Sequence, residues 1–256
     1  MQTITVRSPA LGGYQDPVEV VLPPGYASHP QQRYPVLYLL HGFPGLPMQF
    51  ISLGQVAASE ATLVAERRIQ PMILVMPAGT RSILADEEWA NGMRPGNDWE
   101  TFLASDLVSA IDARYRTIAT GGGRGIGGLS EGGYGALNIG LHHPGEFALI
   151  ESWSGYMRAD RMPRLFGRTA QVRIYNSPAL EAPVVAPQLR VSHTYIWFYS
   201  AFSDHLSRQN RAFNRDLSAL GIAHHYFQTV GRHNWSLWRR FMPRALIIAS
   251  DHLSHE

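Results

Sequence analysis

Short runs of consecutive apolar residues alternate along this chain with longer stretches whose apolar positions recur at helical spacing. A strand over residues 18–22 is stopped by Pro-Pro-Gly at 23–25. "YPVLYLLHG" (34–42) and "MILVMP" (72–77) are unbroken apolar runs of strand length, as expected of strands buried on both faces. "RGIGGLS" (124–130), "FALIESWSG" (147–155), "TYIWFYSAF" (194–202) and "HHYFQTV" (224–230) continue the series. Between them, residues 49–68, 99–115, 132–144, 207–221 and 235–253 read as helices. The N-terminal "MQTITVRSPALGGY" reads as an edge strand and turn, residues 80–98 as a long loop, and 156–190 as irregular chain rich in Arg and Pro. Strands alternating with helices predict the α/β class: a mostly parallel central sheet with helices on both faces. In such sheets chemistry gathers in the loops after the carboxyl ends of the strands. No repeat or linker divides the chain, so 1–256 reads as a single domain, with 156–190 as an insertion placed to act as a lid.

The stretch "TGGGRGIGGLSEGGYGA" (120–136) carries two overlapping motifs. From Gly123 it fits the G-x-G-x-x-G of a dinucleotide loop; from Gly128 it fits the G-x-S-x-G of a nucleophile elbow. A dinucleotide loop belongs in the first βαβ unit, with an acid ending the following strand. Here the glycines fall near mid-chain, and the candidate acid, Glu146, opens the next strand. The elbow needs small residues on both sides of a serine at a sharp strand-to-helix turn. Gly128 and Gly132 stand at those positions around Ser130, and Gly133 and Gly135 let the helix approach the sheet.

A serine nucleophile needs a base, and the base needs an acid to hold its tautomer; on this fold they follow in the order Ser, acid, His. His233, in "VGRHNW" after the last strand, is the base, and Asp204, after the preceding strand, is the acid. Asp216, in mid-helix, and Glu181, before the strand, are poorer acids. His41 reads as loop-shaping, and His142 and His143 as surface residues ending a helix. The oxyanion hole is expected from the backbone N–H groups of Glu131 and of Phe43 in "HGFPG", where Gly42 and Gly45 let the loop fold back. Leu46, Trp89, Trp99, Trp153 and Tyr156 are candidates to line a substrate pocket. Arg158, Arg161, Arg164, Arg168 and Arg173 form either a cationic lid for anionic substrates or lipid headgroups, or a solvated surface.

Composition narrows the chemistry. There is no cysteine, and all 22 basic residues are arginine, which excludes thiolate chemistry, Schiff-base lysines and a Walker-type phosphate loop. A formal net charge of +2 with scattered arginines predicts no nucleic-acid binding. No apolar run approaches the ~18–20 residues of an integral membrane segment. The N-terminal residues lack the basic and apolar regions of a signal peptide, and the compartment stays open between the cytoplasm and a trimmed secreted domain. No cofactor and no metal is expected, since no ligand spacing such as H-E-x-x-H occurs.

"LYLLHGFPG", "DWETFLASDLVSAIDARY", "GLSEGGYGALNIGLHHP", "ESWSG", "NSP", "IWFYSAFSD" and "GRHNWSLWRR" resemble, in order and spacing, the esterase D-like branch of the α/β-hydrolase fold. Feruloyl esterases, S-formylglutathione hydrolases, siderophore esterases and the antigen 85 mycolyltransferases belong to that branch. Its H-x-W-x-x-W ending is matched by His233, Trp235 and Trp238. The resemblance implies a serine esterase with a Ser130, Asp204, His233 triad and a small-molecule or lipid ester substrate. Alternatives on the same fold are an acyltransferase of the mycolyltransferase type and a non-catalytic binding protein. Three departures stand out: Glu131 where the branch often has Met, Gly125 and Gly127 where small apolar residues are common, and Ala201 where the loop to the acid usually begins with Gly.

Overall fold

A computed structural model describes residues 1–83, 85, 87–92 and 95–255. Its strands are β1 (Gln2–Arg7), β2 (Gln15–Val21), β3 (Val36–Leu40), β4 (Ile73–Pro77), β5 (Arg124–Leu129), β6 (Leu149–Trp153), β7 (Tyr195–Ala201) and β8 (His224–Thr229). They form one eight-stranded sheet in the order β1-β2-β4-β3-β5-β6-β7-β8. β2 runs antiparallel to β1 and β4, and every pairing from β4 across to β8 is parallel. The parallel strands therefore end on one edge, and the loops that carry Gly42, Ser130, Asp204 and His233 all leave from it.

The helices are α1 (Met48–Ser52), α2 (Val56–Ala65), α3 (Trp99–Thr101), α4 (Val108–Arg114), α5 (Glu131–His142), α6 (Ala170–Tyr175), α7 (Pro178–Val191), α8 (Ser207–Ala219) and α9 (Trp235–His252). The unbroken apolar strands are explained by the layers on both sides of the sheet. Val36, Tyr38 and Leu40 face one core with residues of α4, α5, α7 and α8, while Leu37 and Leu39 face the other with α2 and α9. Period-two alternation between two apolar faces leaves no polar position in the run.

Three elements differ from their sequence-based expectations. The helix expected over 49–68 is two helices, broken where Gln55 takes a left-handed φ of 55°. A Cβ on Gly54 would lie 2.7 Å from the Phe50 carbonyl oxygen and 3.0 Å from the Trp235 ring, so the break admits α9. The helix over 99–115 is present, but Phe102–Leu107 between α3 and α4 is a π-turn. Asp106 in that turn accepts hydrogen bonds from the Ser8 hydroxyl and, at 3.3 Å, from the Ala10 N–H.

The third difference is larger. Residues 156–190, expected to be irregular, include α6 and the fourteen-residue α7, despite Pro183 and Pro187 inside the latter. Interior proline costs about 3 kcal/mol in a helix. Here both prolines sit on the exposed face, while Ala182, Val185, Ala186 and Leu189 are buried against the core. Full burial of a Val or Leu side chain returns about 1.5–3 kcal/mol each, enough to override local propensity.

Candidate active site

The elbow is built by steric necessity. A Cβ on Gly132 would stand 1.9 Å from the Leu40 carbonyl oxygen, and one on Gly128 would stand 2.5 Å from the Leu40 and Gly132 oxygens. Only glycine lets β3, β5 and α5 approach this closely. Between them Ser130 adopts φ 55°, ψ −119°, a conformation that costs roughly 1–3 kcal/mol outside glycine. Its N–H donates to the Trp153 carbonyl at 2.8 Å, and its carbonyl accepts from the Tyr134 N–H at 3.0 Å. These bonds to β6 and α5 hold the turn that projects the hydroxyl.

The remaining glycines serve packing. Gly123 lies in the tight turn before β5, and Gly125 and Gly128 lie inside the strand. A Cβ on Gly125 would be 3.1 Å from Leu37, and one on Gly127 would be 3.1 Å from Cβ of the fully buried Glu151. Glu146 is ion-paired with Arg124 at the opposite end of β5 from Ser130. Glycines and acid are thus already used by the sheet, and no phosphate cradle exists here.

Three loops bring three side chains together. His233 Nε2 is 2.8 Å from Ser130 Oγ, and His233 Nδ1 is 2.8 Å from Asp204 Oδ2. Asp204 is buried, which pushes its carboxyl up; the hydrogen bonds from His233 and, at 2.9 Å, from the Leu206 N–H outweigh this, and the net direction is below the usual carboxylate range. It therefore stays ionised, accepts a hydrogen bond from Nδ1–H and leaves the Nε2 lone pair facing the serine. The Trp238 ring meets the His233 ring edge-on at 5.2 Å, and Trp235 packs between Trp238 and Phe50. The tryptophans of H-x-W-x-x-W thus wall the imidazole. Asn234, which the sequence reading passed over, caps α9 by accepting from the Ser236 and Leu237 N–H groups and so fixes the backbone beside His233. An Asn directly before a helical run was the available signal.

The "HGFPG" loop lies against the serine: a Cβ on Gly42 would be 2.9 Å from Ser130 Cβ. His41 anchors it. Its Nε2 donates to the Ala78 carbonyl at 2.6 Å, and burial lowers its pKa, keeping it neutral. Phe43, Leu46 and Met48 follow as an exposed apolar rim. Glu131, whose N–H was expected in the oxyanion hole, starts α5; its carboxylate accepts from the Glu88 N–H at 3.1 Å and ties the 80–98 loop to the elbow.

The expected pocket needs correction. Of its five residues only Leu46 is exposed. Trp89 is buried over Gly79 and Gly135 and donates its ring N–H to the His41 carbonyl at 3.1 Å, so it supports the loop from beneath. Trp99 packs in the core against Tyr14 and Phe102, and Trp153 against Phe50. Tyr156 stacks on Tyr134 at 4.3 Å. His142, expected at the surface, has a buried side chain that pairs with Glu100 at 3.1 Å and stacks on Tyr175 at 4.0 Å.

Residues 8–248 match the model of a family described as "Putative esterase". The chain belongs to this esterase family. It is 35% identical over 143 residues to esterase Rv1288 of Mycobacterium tuberculosis, covering 56% of this chain and 30% of that protein. It is 32% identical over 159 residues to an endo-1,4-beta-xylanase/feruloyl esterase of Xylanibacter ruminicola, covering 60% of this chain and 21% of that protein. The chain thus matches less than a third of the length of these curated relatives. A solved structure of a ferulic acid esterase superposes with a TM-score of 0.86 at 26% identity, over 98% of both chains. The sheet and this superposition make the fold that of the α/β-hydrolases. Among the described residues, no helix is long and apolar enough to cross a membrane.

Proposed function

We propose that the chain hydrolyses carboxylic esters through an acyl-enzyme on Ser130. The observation that carries this is the continuous pair of 2.8 Å contacts from Ser130 Oγ through His233 to Asp204. His233 Nε2 takes the hydroxyl proton as Oγ attacks the ester carbonyl. The backbone N–H groups of Phe43 and Glu131 receive the oxyanion; the close seat of Gly42 on Ser130 and the position of Glu131 at the start of α5 support this assignment. The imidazolium then protonates the departing alkoxide. A water molecule, deprotonated by the same nitrogen, cleaves the acyl-enzyme to carboxylic acid and free serine.

Ser130→Ala is expected to lower kcat on 4-nitrophenyl esters by ~10⁴–10⁶-fold. A fluorophosphonate probe should label the wild type and not the variant. Near-normal turnover by Ser130→Ala would sink the proposal, and an unlabelled wild type would favour a non-catalytic binding role.

Transfer of the acyl group to an alcohol is the second reading. The exposed Phe43, Leu46 and Met48, which follow Gly42 in the chain, favour it, since an apolar rim can hold an alcohol acceptor in competition with water. Transesterified product formed from added alcohols, in excess over hydrolysis, would decide for it.

A further inference from the structure

His205 follows Asp204 directly, and its ring stands 5.7 Å from the His233 ring. The same residue lines a cleft of about 520 Å³ between residues 157–162, after β6, and α8. Arg158 and Arg161 line one side and Arg208 and Arg215 the other, against a single lining carboxylate, Asp216. Arg208 and Arg215 are seven residues apart, two helical turns, and so share one face of α8. Partly exposed Met162 and Ala212 provide apolar lining, backed by the fully buried Met157 and Phe213.

The charges in this cleft are not mutually satisfied. Arg158 is held by Asp160 at 2.6 and 2.7 Å. Among the described residues, the Arg161, Arg208 and Arg215 side chains make no hydrogen bond or salt bridge. Of the other arginines in the segment, Arg173 is turned to the Asp160 and Gly167 carbonyls. In a chain whose formal net charge is +2, three unpaired guanidiniums around one cavity concentrate positive potential beside the triad. Guanidinium forks fit carboxylate and phosphate oxygens in pairs.

The geometry points to a binding site for the anionic end of an ester substrate, a carboxylate or phosphate held by Arg161, Arg208 and Arg215 while the ester carbonyl lies at Ser130. This rests on the esterase reading above. The partly exposed Met162 on the cleft wall offers apolar surface to the chain that joins the two ends.

The matched probes are 4-nitrophenyl hydrogen suberate and 4-nitrophenyl methyl suberate, which differ only in the remote charge. At low salt the wild type should favour the charged ester in kcat/KM by about tenfold, and the preference should shrink as ionic strength rises. In the Arg161→Gln, Arg208→Gln, Arg215→Gln triple variant the preference should disappear. Arg211→Gln, on the same helix but bonded to Gln228, should retain it. No preference in the wild type, or one that survives the triple change, overturns the proposal. Calorimetric binding of both probes to Ser130→Ala separates the two readings. If the wild type hydrolyses neither probe, the esterase reading fails, and arginine-dependent tighter binding of the charged probe still supports the anion site; equal binding refutes it. Inorganic phosphate that competes with the charged ester supports the assignment. Phosphate that alters turnover of the neutral ester without competing would make the cleft a site for a free anion, and would overturn its role in substrate binding.

Discussion

The Asp204 carboxyl is held below the usual range against its own burial, chiefly by two donors, His233 and the Leu206 N–H, with a smaller contribution from the Ser154 side chain. An amide there keeps the shape and removes the charge. Asp204→Asn is therefore expected to lower kcat about 10⁴-fold, with a melting temperature close to that of the wild type. A loss of only a few-fold would place the orienting charge elsewhere. Ser130, Asp204 and His233 were legible in the sequence because a glycine-flanked serine and the chain order of acid and base are local facts. The fate of the loop aromatics was not. Trp89 is buried because Gly79, ten residues before it, and Gly135, far along the chain, leave room for its ring. His142 is buried because Glu100 and Tyr175 close over it. Nothing near either residue in the chain announces those partners.

At the scale of elements, periodicity located the strands because each is buried on two faces and excludes polar residues. It failed where packing overrode propensity. Proline density marks 156–190 as irregular, yet α7 forms because its apolar stripe meets the core and its prolines face water. Pro187→Ala should restore a backbone bond to the Pro183 carbonyl without disturbing that stripe. The expected gain is about 1–3 kcal/mol, seen as a higher melting temperature. An unchanged or lower value would mean that the rings themselves are packed. The break between α1 and α2 was equally hidden, since its cause is the approach of Trp235 from the other end of the chain.

At the scale of the whole molecule, buried acids outside the site set a pH dependence of stability. Glu60 is pushed up to about 8 by burial, against a hydrogen bond from the Met72 N–H at 3.1 Å. Between pH 4.5, its ordinary value, and about 8, the folded chain keeps a proton that the unfolded chain has released. Stability from this group is thus full below pH 4.5 and falls by about 1.4 kcal/mol per pH unit through that window. Asp16, pushed up to about 7 by burial, acts in the same direction. Glu60→Gln keeps the acceptor for Met72 and removes the titration. Its melting temperature should match the wild type near pH 4.5 and exceed it by several degrees at pH 8. A difference independent of pH would refute the assignment.

The chain by itself determined the α/β class and pointed to the elbow at Ser130 and to the candidate acid and base that follow it. These depend on covalent neighbours and on periodicity, which one-dimensional reading captures. The overlapping G-x-G-x-x-G was resolved in principle by position, but only the packed sheet shows what its glycines are for: room for Ile118, for Leu37 and for the Leu40 backbone. Tertiary structure alone decided which aromatics face solvent and which arginines share a cavity. The sequence groups Arg158 and Arg161 with Arg164, Arg168 and Arg173, whereas the fold groups them with Arg208 and Arg215 of α8. Charge acts through space at distances of a few ångströms, and those distances exist only once β6 and β7 lie side by side and their loops meet.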